Sequence, residues 1–419
     1  MDRTHDEIDV STLSFWQLTA EQRDERLAVL RAERPVSWQR PAEGMGTLPM
    51  TDDPGFWAVL THPDVITVSR DPETYSSAQG FQIEDVPMPI LEAAGSFLGM
   101  DHPRHTRLRR LATAAFTPRR IRAIEETIAA RAARLVDDLL ERGEGDFVDV
   151  LSRPMPSGIF AEMMGVDEED RERVTQLADD MVAWNDPDAL AGRDGITLLM
   201  VTTQGLHAAA QQLAEARRSK PADDLVTGLV TAEVDGERLT DYEIGSFFVL
   251  LSVAGNDTTR QTITHGMRAL CQFPDERALL ASDPDRYLPG AVEEMIRWAT
   301  PVMTFRRTAT RDTELNGAEI KTGDKVVMFY NSANRDEKVF PDPWRFDITR
   351  EANHVGFGGG GPHFCLGASL ARSMLRSTFR ELVTRAPTLE LGDPRFVIGY
   401  FIHGIGSIPY RVGGAAPHG

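Results

Sequence analysis

One short stretch constrains this chain more than any other. Four consecutive glycines, Gly358–Gly361, end four residues before Cys365, which is one of only two cysteines among the 419 residues. Glycines permit backbone conformations and close approaches that residues with a Cβ atom cannot adopt. A cysteine thiolate is a nucleophile or a metal ligand. Any interpretation of the stretch has to explain both features together.

Several familiar sites do not explain both. A phosphate loop needs Lys and then Ser or Thr after its last glycine, whereas Pro362 and His363 follow here. A dinucleotide-binding fingerprint would need a strand before the glycines and an acidic residue at a set distance after them, and the sequence has neither. A zinc site would need further paired ligands, but the only other cysteine, Cys271, is remote. An inert buried cysteine leaves the glycines unexplained. A single thiolate ligand to haem iron explains both, since the backbone must pass close to a flat macrocycle and a helix from Leu366 would favour the thiolate.

The composition indicates the compartment of the protein and the classes of partner it can have. The chain is 41% hydrophobic and carries 45 basic against 64 acidic residues, a net charge of −19, which disfavours a nucleic-acid partner. Two cysteines make no disulfide framework, so we expect reducing cytoplasm. The start, MDRTHDEIDV, does not resemble a signal peptide, and no apolar run is long enough to span a membrane. We therefore expect a cytoplasmic protein without a membrane anchor. We also expect a monomer.

The chain divides into two differently patterned parts. The first, about residues 1–100, contains strand signals, such as the apolar and β-branched run Phe56–Ser69 broken by a turn. The second, about 101–419, is mainly helical, with short strands after Arg306. Without a linker between them, we predict one domain over 1–419, mainly α with a minor β portion.

The most informative predicted helix is Thr240–Phe273, which begins with a capping box and ends before a proline. As one helix of 34 residues it would be roughly 50 Å long and would cross the middle of the molecule. Its apolar surface is interrupted by Ala254–Thr259, where Gly255 loosens the helix. A solvated polar patch is one interpretation. The other is a buried proton relay made by Asp257 and Thr258.

Two further groups of charged residues stand out. Glu294 and Arg297 are three apart, share a helix face and have Arg345 as a possible third partner; alone they would be a surface ion pair. His105 and Arg109 share a face in a segment with seven arginines, 101–122. That segment is a solvated helix face, a nucleic-acid contact, or a grip for carboxylates.

Taken together and in this order, these motifs resemble the cytochrome P-450 family of haem-thiolate monooxygenases over almost the whole chain. The resemblance implies a long central helix over haem b, with the cysteine loop beneath it. It implies insertion of one oxygen atom of O2 into a C–H bond of a lipophilic substrate. Alternatives are a polyketide- or macrolide-tailoring hydroxylase, a haem-thiolate binding or sensor protein without turnover, and a peroxygenase.

The resemblance also implies roles for individual residues. Cys365 would bind the iron, with Phe357 packed beside the sulfur, although Phe357 stands eight residues before the cysteine instead of the commoner seven. The expected ligands of the haem propionates are His105, Arg109, Arg307 and His363. Asp257 and Thr258 would supply protons during oxygen activation. A structural triad would comprise Glu294, Arg297 and Arg345.

A narrower resemblance concerns the substrate. The segments TPVMTFRRTAT, YNSANRDE and FIHGI, with the cysteine loop, look like those of actinobacterial members that oxidise methyl-branched lipids and sterol side chains at a terminal carbon. The substrate-facing candidates are mostly apolar, as a lipophilic substrate requires. They are Ile90, Leu91, Phe97, Phe247, Leu251, Ala254, Val302, Met303, Phe401 and Ile402.

The chain has no nucleotide-binding fingerprint and no second cysteine cluster, so we expect electrons to come from outside. The resemblance implies NAD(P)H as their origin and a ferredoxin or flavodoxin, with its reductase, as the carrier. Such carriers are acidic, and several arginines are candidates for docking them. These are Arg104, Arg107, Arg110, Arg119, Arg372 and Arg376.

Overall fold

Helices dominate the described part of the chain. The structure, a computed structural model, describes residues 4–43, 53–114, 118–182, 184, 190 and 192–413, and for 118–122 only the backbone. The helices are α1 Leu13–Trp16, α2 Ala20–Glu33, α3 His62–Arg70, α4 Met88–Gly95, α5 Arg104–Ala114, α6 Pro118–Arg142, α7 Pro154–Met164, α8 Glu168–Val182, α9 Gly195–Ser219, α10 Leu225–Thr231, α11 Asp241–Ala254, α12 Asp257–Gln272, α13 Pro274–Ser282, α14 Pro284–Ala299, α15 Tyr330–Ala333 and α16 Ala368–Arg385. A 3-10 turn, Ser96–Gly99, and a π-helical turn, Val148–Ser152, supplement them.

Strands from distant parts of the sequence form one five-stranded sheet, in the order Val36–Gln39, Phe56–Val59, Lys325–Phe329, Thr304–Ala309 and Tyr75–Ser76. The strands are β1 Val36–Gln39, β2 Phe56–Val59, β3 Tyr75–Ser76, β4 Glu144–Asp146, β5 Glu233–Val234, β6 Glu237–Arg238, β7 Thr304–Ala309, β8 Thr313–Leu315, β9 Ala318–Ile320, β10 Lys325–Phe329, β11 Leu389–Leu391, β12 Arg395–Val397, β13 Gly404–Ser407 and β14 Pro409–Val412. Strand β2 pairs in parallel with β10, placing Phe56 opposite Lys325. The predicted N-terminal β part is therefore completed by strands that follow α14.

The predicted single helix over Thr240–Phe273 is two helices, because the chain breaks between α11 and α12. At the break, side chains donate hydrogen bonds to backbone carbonyls that would otherwise lack an amide donor. Asn256 Nδ2 donates to the carbonyl of Ser252 at 2.7 Å, and Thr258 Oγ1 donates to that of Ala254 at 2.8 Å. Such local bonds compete with the regular helix ladder, so the polar residues stabilise the interruption.

The two halves of this broken helix belong to different apolar cores. Phe247 and Phe248 of α11 pack with residues of α7, α8 and α9, whereas Ile263 and Met267 of α12 pack with α6, α14 and α16. The break therefore lies where the two cores meet. The architecture is mainly α with a minor strand portion, as predicted. Among the described helices, none is both long enough and apolar enough to cross a bilayer.

Candidate active site

The glycine run packs against the end of α3. Gly360 and Gly361 have φ of +93° and +75°, conformations that residues with a Cβ rarely adopt. A Cβ on Gly361 would lie 2.4 Å from the carbonyl oxygen of Ser69. Ser69 Oγ donates to the carbonyl of Gly360 at 2.9 Å, and Arg70 Nε donates to that of Gly359 at 3.1 Å. These glycines therefore serve a close backbone contact with α3, a partner that the sequence did not indicate.

Cys365 stands at the end of this loop. Its amide donates to the carbonyl of Phe357 at 3.0 Å, so Phe357 still closes the loop although it stands one residue further away than usual. The ring of Phe357 lies under the guanidinium of Arg372, 4.6 Å from its carbon. Burial raises the pKa of the Cys365 thiol, while a hydrogen bond from the Gly367 amide and the charges of Arg109 and Arg372 act in the opposite direction.

Four basic side chains from three separate segments meet beside this loop: His105, Arg109, Arg307 and His363. The rings of His105 and His363 lie 4.4 Å apart, and burial together with the neighbouring cations lowers the pKa of His363 to about 2. Burial also lowers the pKa of Arg307, which is 4% exposed. Among the described residues, no carboxylate lies within ion-pair distance of Arg109 or Arg307.

This cluster fits the propionates of haem. Nε2 of His105 and Nδ1 of His363 are buried and have no hydrogen-bond partner among the described residues. Buried cations and unpaired ring nitrogens are costly, and a group with two carboxylates would satisfy both. Arg109 additionally holds the cysteine loop, because its two terminal nitrogens donate to the carbonyls of Pro362 and Phe364, each at 2.6 Å.

Asp257 is the first residue of α12 and is only 4% exposed. One of its oxygens accepts hydrogen bonds from Arg260 and, at 3.3 Å, from Gln261. The other oxygen, Oδ2, is buried without a partner among the described residues. Asp257 and Thr258 both line the cavity described below, so the carboxyl and the hydroxyl face one space.

Arg260 links Asp257 to a second carboxylate that the sequence did not indicate. Its guanidinium lies 3.4 Å from Asp179 of α8, and Arg153 donates to the same carboxylate at 2.8 Å. Burial raises the pKa of Asp179, against the effect of both arginines. The three-residue spacing of Asp257 and Arg260 on one helix could have indicated the first link. Nothing in the sequence brings α8 to this place.

A cavity of about 440 Å³ lies beside Asp257 and Thr258. Six of the ten substrate-facing candidates line it, namely Ile90, Leu91, Ala254, Val302, Phe401 and Ile402. Further apolar lining residues, which were not among the candidates, include Phe81, Val86, Leu98, Phe305, Val397 and Ile398. Most of these additional lining residues lie close in sequence to the predicted candidates. Which residues of each segment face the cavity is decided by the fold and could not be read from the sequence.

The remaining four candidates, Phe97, Phe247, Leu251 and Met303, do not line this cavity. Phe97 and Phe247 pack against each other with ring centroids 5.9 Å apart, within the core of α7 to α11. Leu251 packs against the same core. Met303 is 2% exposed in the core beneath the sheet. Because successive residues of an extended chain point to opposite sides, Val302 and Met303 cannot both face the cavity.

Glu294 and Arg297 are both fully buried and form a two-pronged ion pair, with both N–O distances 2.7 Å. Arg297 also donates to the carbonyls of Asn334 and Pro343, which ties α14 to the following loop. The second cation beside Glu294 is Arg350, whose Nε lies 3.4 Å from the carboxylate. The prediction of Arg345 is wrong: its side chain is exposed, because its position in the loop turns it outward.

Most of the arginines proposed for docking an electron carrier pair with this chain's own carboxylates. Arg104 pairs with Glu92, Arg107 with Glu237 and Glu243, Arg110 with Asp235, and Arg372 with Glu293. Arg376 is exposed, and the side chain of Arg119 lies outside the described residues. The described part of this surface is therefore less positive than its arginine content indicates.

Comparisons with known proteins point to one family. The family model "Cytochrome P-450" matches residues 284–385. The chain is 43% identical to the methyl-branched lipid omega-hydroxylase of Mycobacterium tuberculosis over 96% of this chain and 94% of that protein. It is 40% identical to the steroid C26-monooxygenase of Mycolicibacterium smegmatis over 91% and 88%.

Among solved structures, a Mycobacterium marinum cytochrome P-450 in complex with pseudoionone has a TM-score of 0.94 and 51% identity, covering 98% of this chain and 99% of that one. Identity of this level over nearly the whole length, with the cysteine loop and basic cluster in place, fixes the assignment. The chain belongs to the cytochrome P-450 family and is a monooxygenase.

Proposed function

We propose that this enzyme hydroxylates a methyl-branched, sterol-like or terpenoid-like lipid at a terminal carbon. The observation that carries the proposal is the mainly apolar cavity of about 440 Å³ beside Asp257 and Thr258. A cavity of this size and lining suits a lipid of moderate length. The names of the two lipid- and steroid-oxidising relatives support the same substrate class.

In this proposal haem is held by Cys365 as the iron ligand and by the cluster of His105, Arg109, Arg307 and His363 at its propionates. When bound, thiolate-ligated haem activates O2 for insertion of one oxygen atom into a C–H bond. The Gly367 amide orients the sulfur, and Arg109 fixes the cysteine loop through its carbonyls. The chain thereby positions the ligand before the cofactor is loaded.

Asp257 and Thr258 are proposed as the residues that hold and move protons. Oδ2 of Asp257 is buried beside the cavity and has no hydrogen-bond partner in the described part of the chain, so it can take a proton from water or pass one on. Thr258 donates to the Ala254 carbonyl and retains oxygen lone pairs that accept a further hydrogen bond. Arg260 and Asp179 would connect Asp257 to the surface of α8.

The electrons are proposed to come from NAD(P)H through a separate reductase and a ferredoxin or flavodoxin. Exposed Arg376 is a docking candidate, whereas the paired arginines contribute less positive charge. Turnover with a purified carrier is expected to fall as ionic strength rises, since docking of opposite charges is screened by salt. Turnover independent of salt would count against an electrostatic dock.

The substrate proposal is tested by titrating the haem-loaded enzyme with branched lipids, sterols, terpenoids and macrolides and following the spectral shift of the haem. Branched lipids are expected to bind and to give a terminally hydroxylated product by mass spectrometry. Tight binding of a macrolide without binding of any lipid would overturn the proposal and favour a tailoring hydroxylase.

The relay proposal is tested with Thr258→Ala, which is expected to consume electrons and release peroxide instead of forming product. The neighbouring Thr259→Ala is a matched control, because Thr259 is buried and does not line the cavity. Unchanged coupling of electrons to product in Thr258→Ala would remove the hydroxyl from the relay.

A further inference from the structure

Glu293 of α14 holds Arg372, one of the arginines that the sequence suggested for docking an electron carrier. Its carboxylate accepts hydrogen bonds from Nε and Nη2 of Arg372 at 2.6 and 2.7 Å, and it lies 3.1 Å from Nε2 of His354. Nδ1 of His354 accepts from the Gly356 amide at 3.0 Å, so the neutral imidazole donates to Glu293 through Nε2. One carboxylate therefore joins α16 to the segment that leads into the cysteine loop.

Both partners of this ion pair are charged near neutral pH. Burial raises the pKa of Glu293, but the hydrogen bonds from Arg372 and His354 outweigh burial and lower it to about 2. The hydrogen bonds to Glu293 in turn raise the pKa of Arg372. Because two parallel bonds join a guanidinium to a carboxylate in a fixed geometry, Arg372 is held in one orientation.

The guanidinium of Arg372 lies against the cysteine loop. Its carbon is 4.6 Å from the centre of the Phe357 ring, which is a cation–π contact. The carbonyl of Phe357 accepts from the Cys365 amide at 3.0 Å, so the ring beneath Arg372 belongs to the residue that closes the loop. Glu293 offsets part of the charge of the pair, but it is Arg372 whose charge acts on the Cys365 sulfur, together with that of Arg109.

We propose that Arg372, held in place by Glu293, raises the reduction potential of the haem iron. The inference rests on the proposed ligation of the iron by Cys365. Reduction adds one electron, and therefore one negative charge, to the site that the iron and the thiolate form. A fixed cation beside the sulfur stabilises the reduced form more than the oxidised form. Arg372 is half-buried, so water and salt screen its charge less than that of an exposed side chain.

The reduction potential of the haem-loaded enzyme tests the inference. It is measured with soluble redox dyes, so that docking of a protein carrier does not enter. Arg372→Gln removes the charge and keeps a polar side chain. The variant is expected to be harder to reduce, with the equilibrium shifted about tenfold towards oxidised iron, which is about 59 mV. An unchanged potential would overturn the inference.

Arg376→Gln is the matched control. Arg376 lies about one turn further along α16 and is exposed, so solvent screens its charge. Its loss is expected to shift the same equilibrium by less than about twofold. A shift as large as that of Arg372→Gln would assign the effect to the overall charge of the helix and contradict the inference.

Arg372→Lys separates the charge from the hydrogen bonds. Lysine keeps the positive charge but cannot form the two parallel bonds to Glu293. Its potential is expected to remain closer to that of the wild type than to that of Arg372→Gln. A fall as large as in Arg372→Gln would mean that the hydrogen-bond geometry sets the potential, and the inference would fail. The lysine variant also decides the test if Arg372→Gln loses its cysteine ligand.

The spectrum of the reduced carbon monoxide complex separates this failure from failure of the proposed ligation. Thiolate ligation gives that complex its far-red-shifted absorbance. A wild-type enzyme without this band would remove Cys365 as the iron ligand, and the inference would fall with it. If the wild type and the variants share the band while the potential does not move, the ligation stands and only the role of Arg372 is refuted.

Discussion

At the scale of single residues, the buried carboxylate of Glu294 requires neighbours that can compensate its charge. A carboxylate with no exposed surface is stable only when cations and amides surround it. Here Arg297 supplies two hydrogen bonds, the Asp347 amide a third at 3.1 Å, and Arg350 a second positive charge. Arg350 therefore helps to stabilise the buried carboxylate of α14. Its Nε interacts with Glu294 by charge alone and forms no hydrogen bond with it.

We predict that Arg350→Ala lowers the free energy of unfolding by about 1–3 kcal/mol, because Glu294 keeps only one of its two cations. Arg345→Ala, at the exposed position in the same loop, is expected to change it by less than about 0.5 kcal/mol. Urea denaturation of both variants measures the difference. A larger loss with Arg345→Ala would mean that the loop arginines have been assigned in the wrong order.

The residue chemistry of the site was largely visible in the sequence, but its partners were not. The glycine run and its spacing to Cys365 favoured a haem ligand, whereas for Asp257 and Thr258 the sequence left a solvated polar patch and a proton relay both open. Arg350 was missed because only the path of the loop decides which of its two arginines, Arg345 or Arg350, turns inward to Glu294. Asp179 was missed because its contact with Arg260 joins two helices that are far apart in the sequence.

At the scale of elements, the cysteine loop depends on α3 as much as on the helix that follows it. The glycine run lies on the C-terminal end of α3 with direct backbone contact, so the position of α3 fixes the path of the loop. The existence of a glycine-rich loop was predictable, whereas its contact with a helix formed some 290 residues earlier was not.

We predict that Gly361→Ala destabilises the protein by about 2–4 kcal/mol, through backbone strain together with the clash at Ser69. Gly323→Ala is the matched control: its φ is +88°, but a Cβ there would meet nothing within 4 Å. That variant is expected to lose only about 1 kcal/mol. Equal losses in thermal or urea denaturation would show that strain alone, without the contact to α3, requires the glycine.

A second inter-element contact predicts acid sensitivity. His265 of α12 donates to the carbonyl of His403 at 3.1 Å, and the two rings lie 4.1 Å apart. Burial, with the nearby charge of Arg268, lowers the pKa of His265 to about 3, and burial also lowers that of His403. Both rings are therefore neutral in the folded protein at pH values where the unfolded chain binds protons.

Because the folded pKa is below the unfolded one, stability falls as pH drops below about 6.5 and continues to fall towards about 3. At pH 5 the loss from His265 is about 2 kcal/mol. His265→Gln, which can still donate to the same carbonyl, is expected to lose less stability than the wild type between pH 7.5 and 5. Parallel stability curves from urea denaturation would contradict this assignment.

At the scale of the whole molecule, the five-stranded sheet joins the beginning of the chain to its last third. Strands β1, β2 and β3 would form no continuous sheet without β7 and β10, because β2 pairs with β10 and β3 pairs with β7. The sequence indicated strands in both regions. Their pairing was not predictable, because the alternation of side chains along a strand does not indicate which distant strand it will pair with.

We predict that the two regions unfold as one cooperative unit. Hydrogen exchange of the amides in β2 and β10 is expected to show the same protection, because opening either strand breaks the same ladder. Mass spectrometry or NMR measures it residue by residue. Markedly faster exchange throughout β2 than in β10 would mean that the N-terminal region opens independently.

The same pairing has a consequence during synthesis. Strand β2 leaves the ribosome well before β10 exists, and at 5–20 residues per second the delay is roughly ten to fifty seconds. During that time the edge of β2 that pairs with β10 in the finished sheet still lacks that partner. The nascent chain therefore carries an uncovered strand edge through most of translation, and a chaperone that binds extended segments has a defined target there.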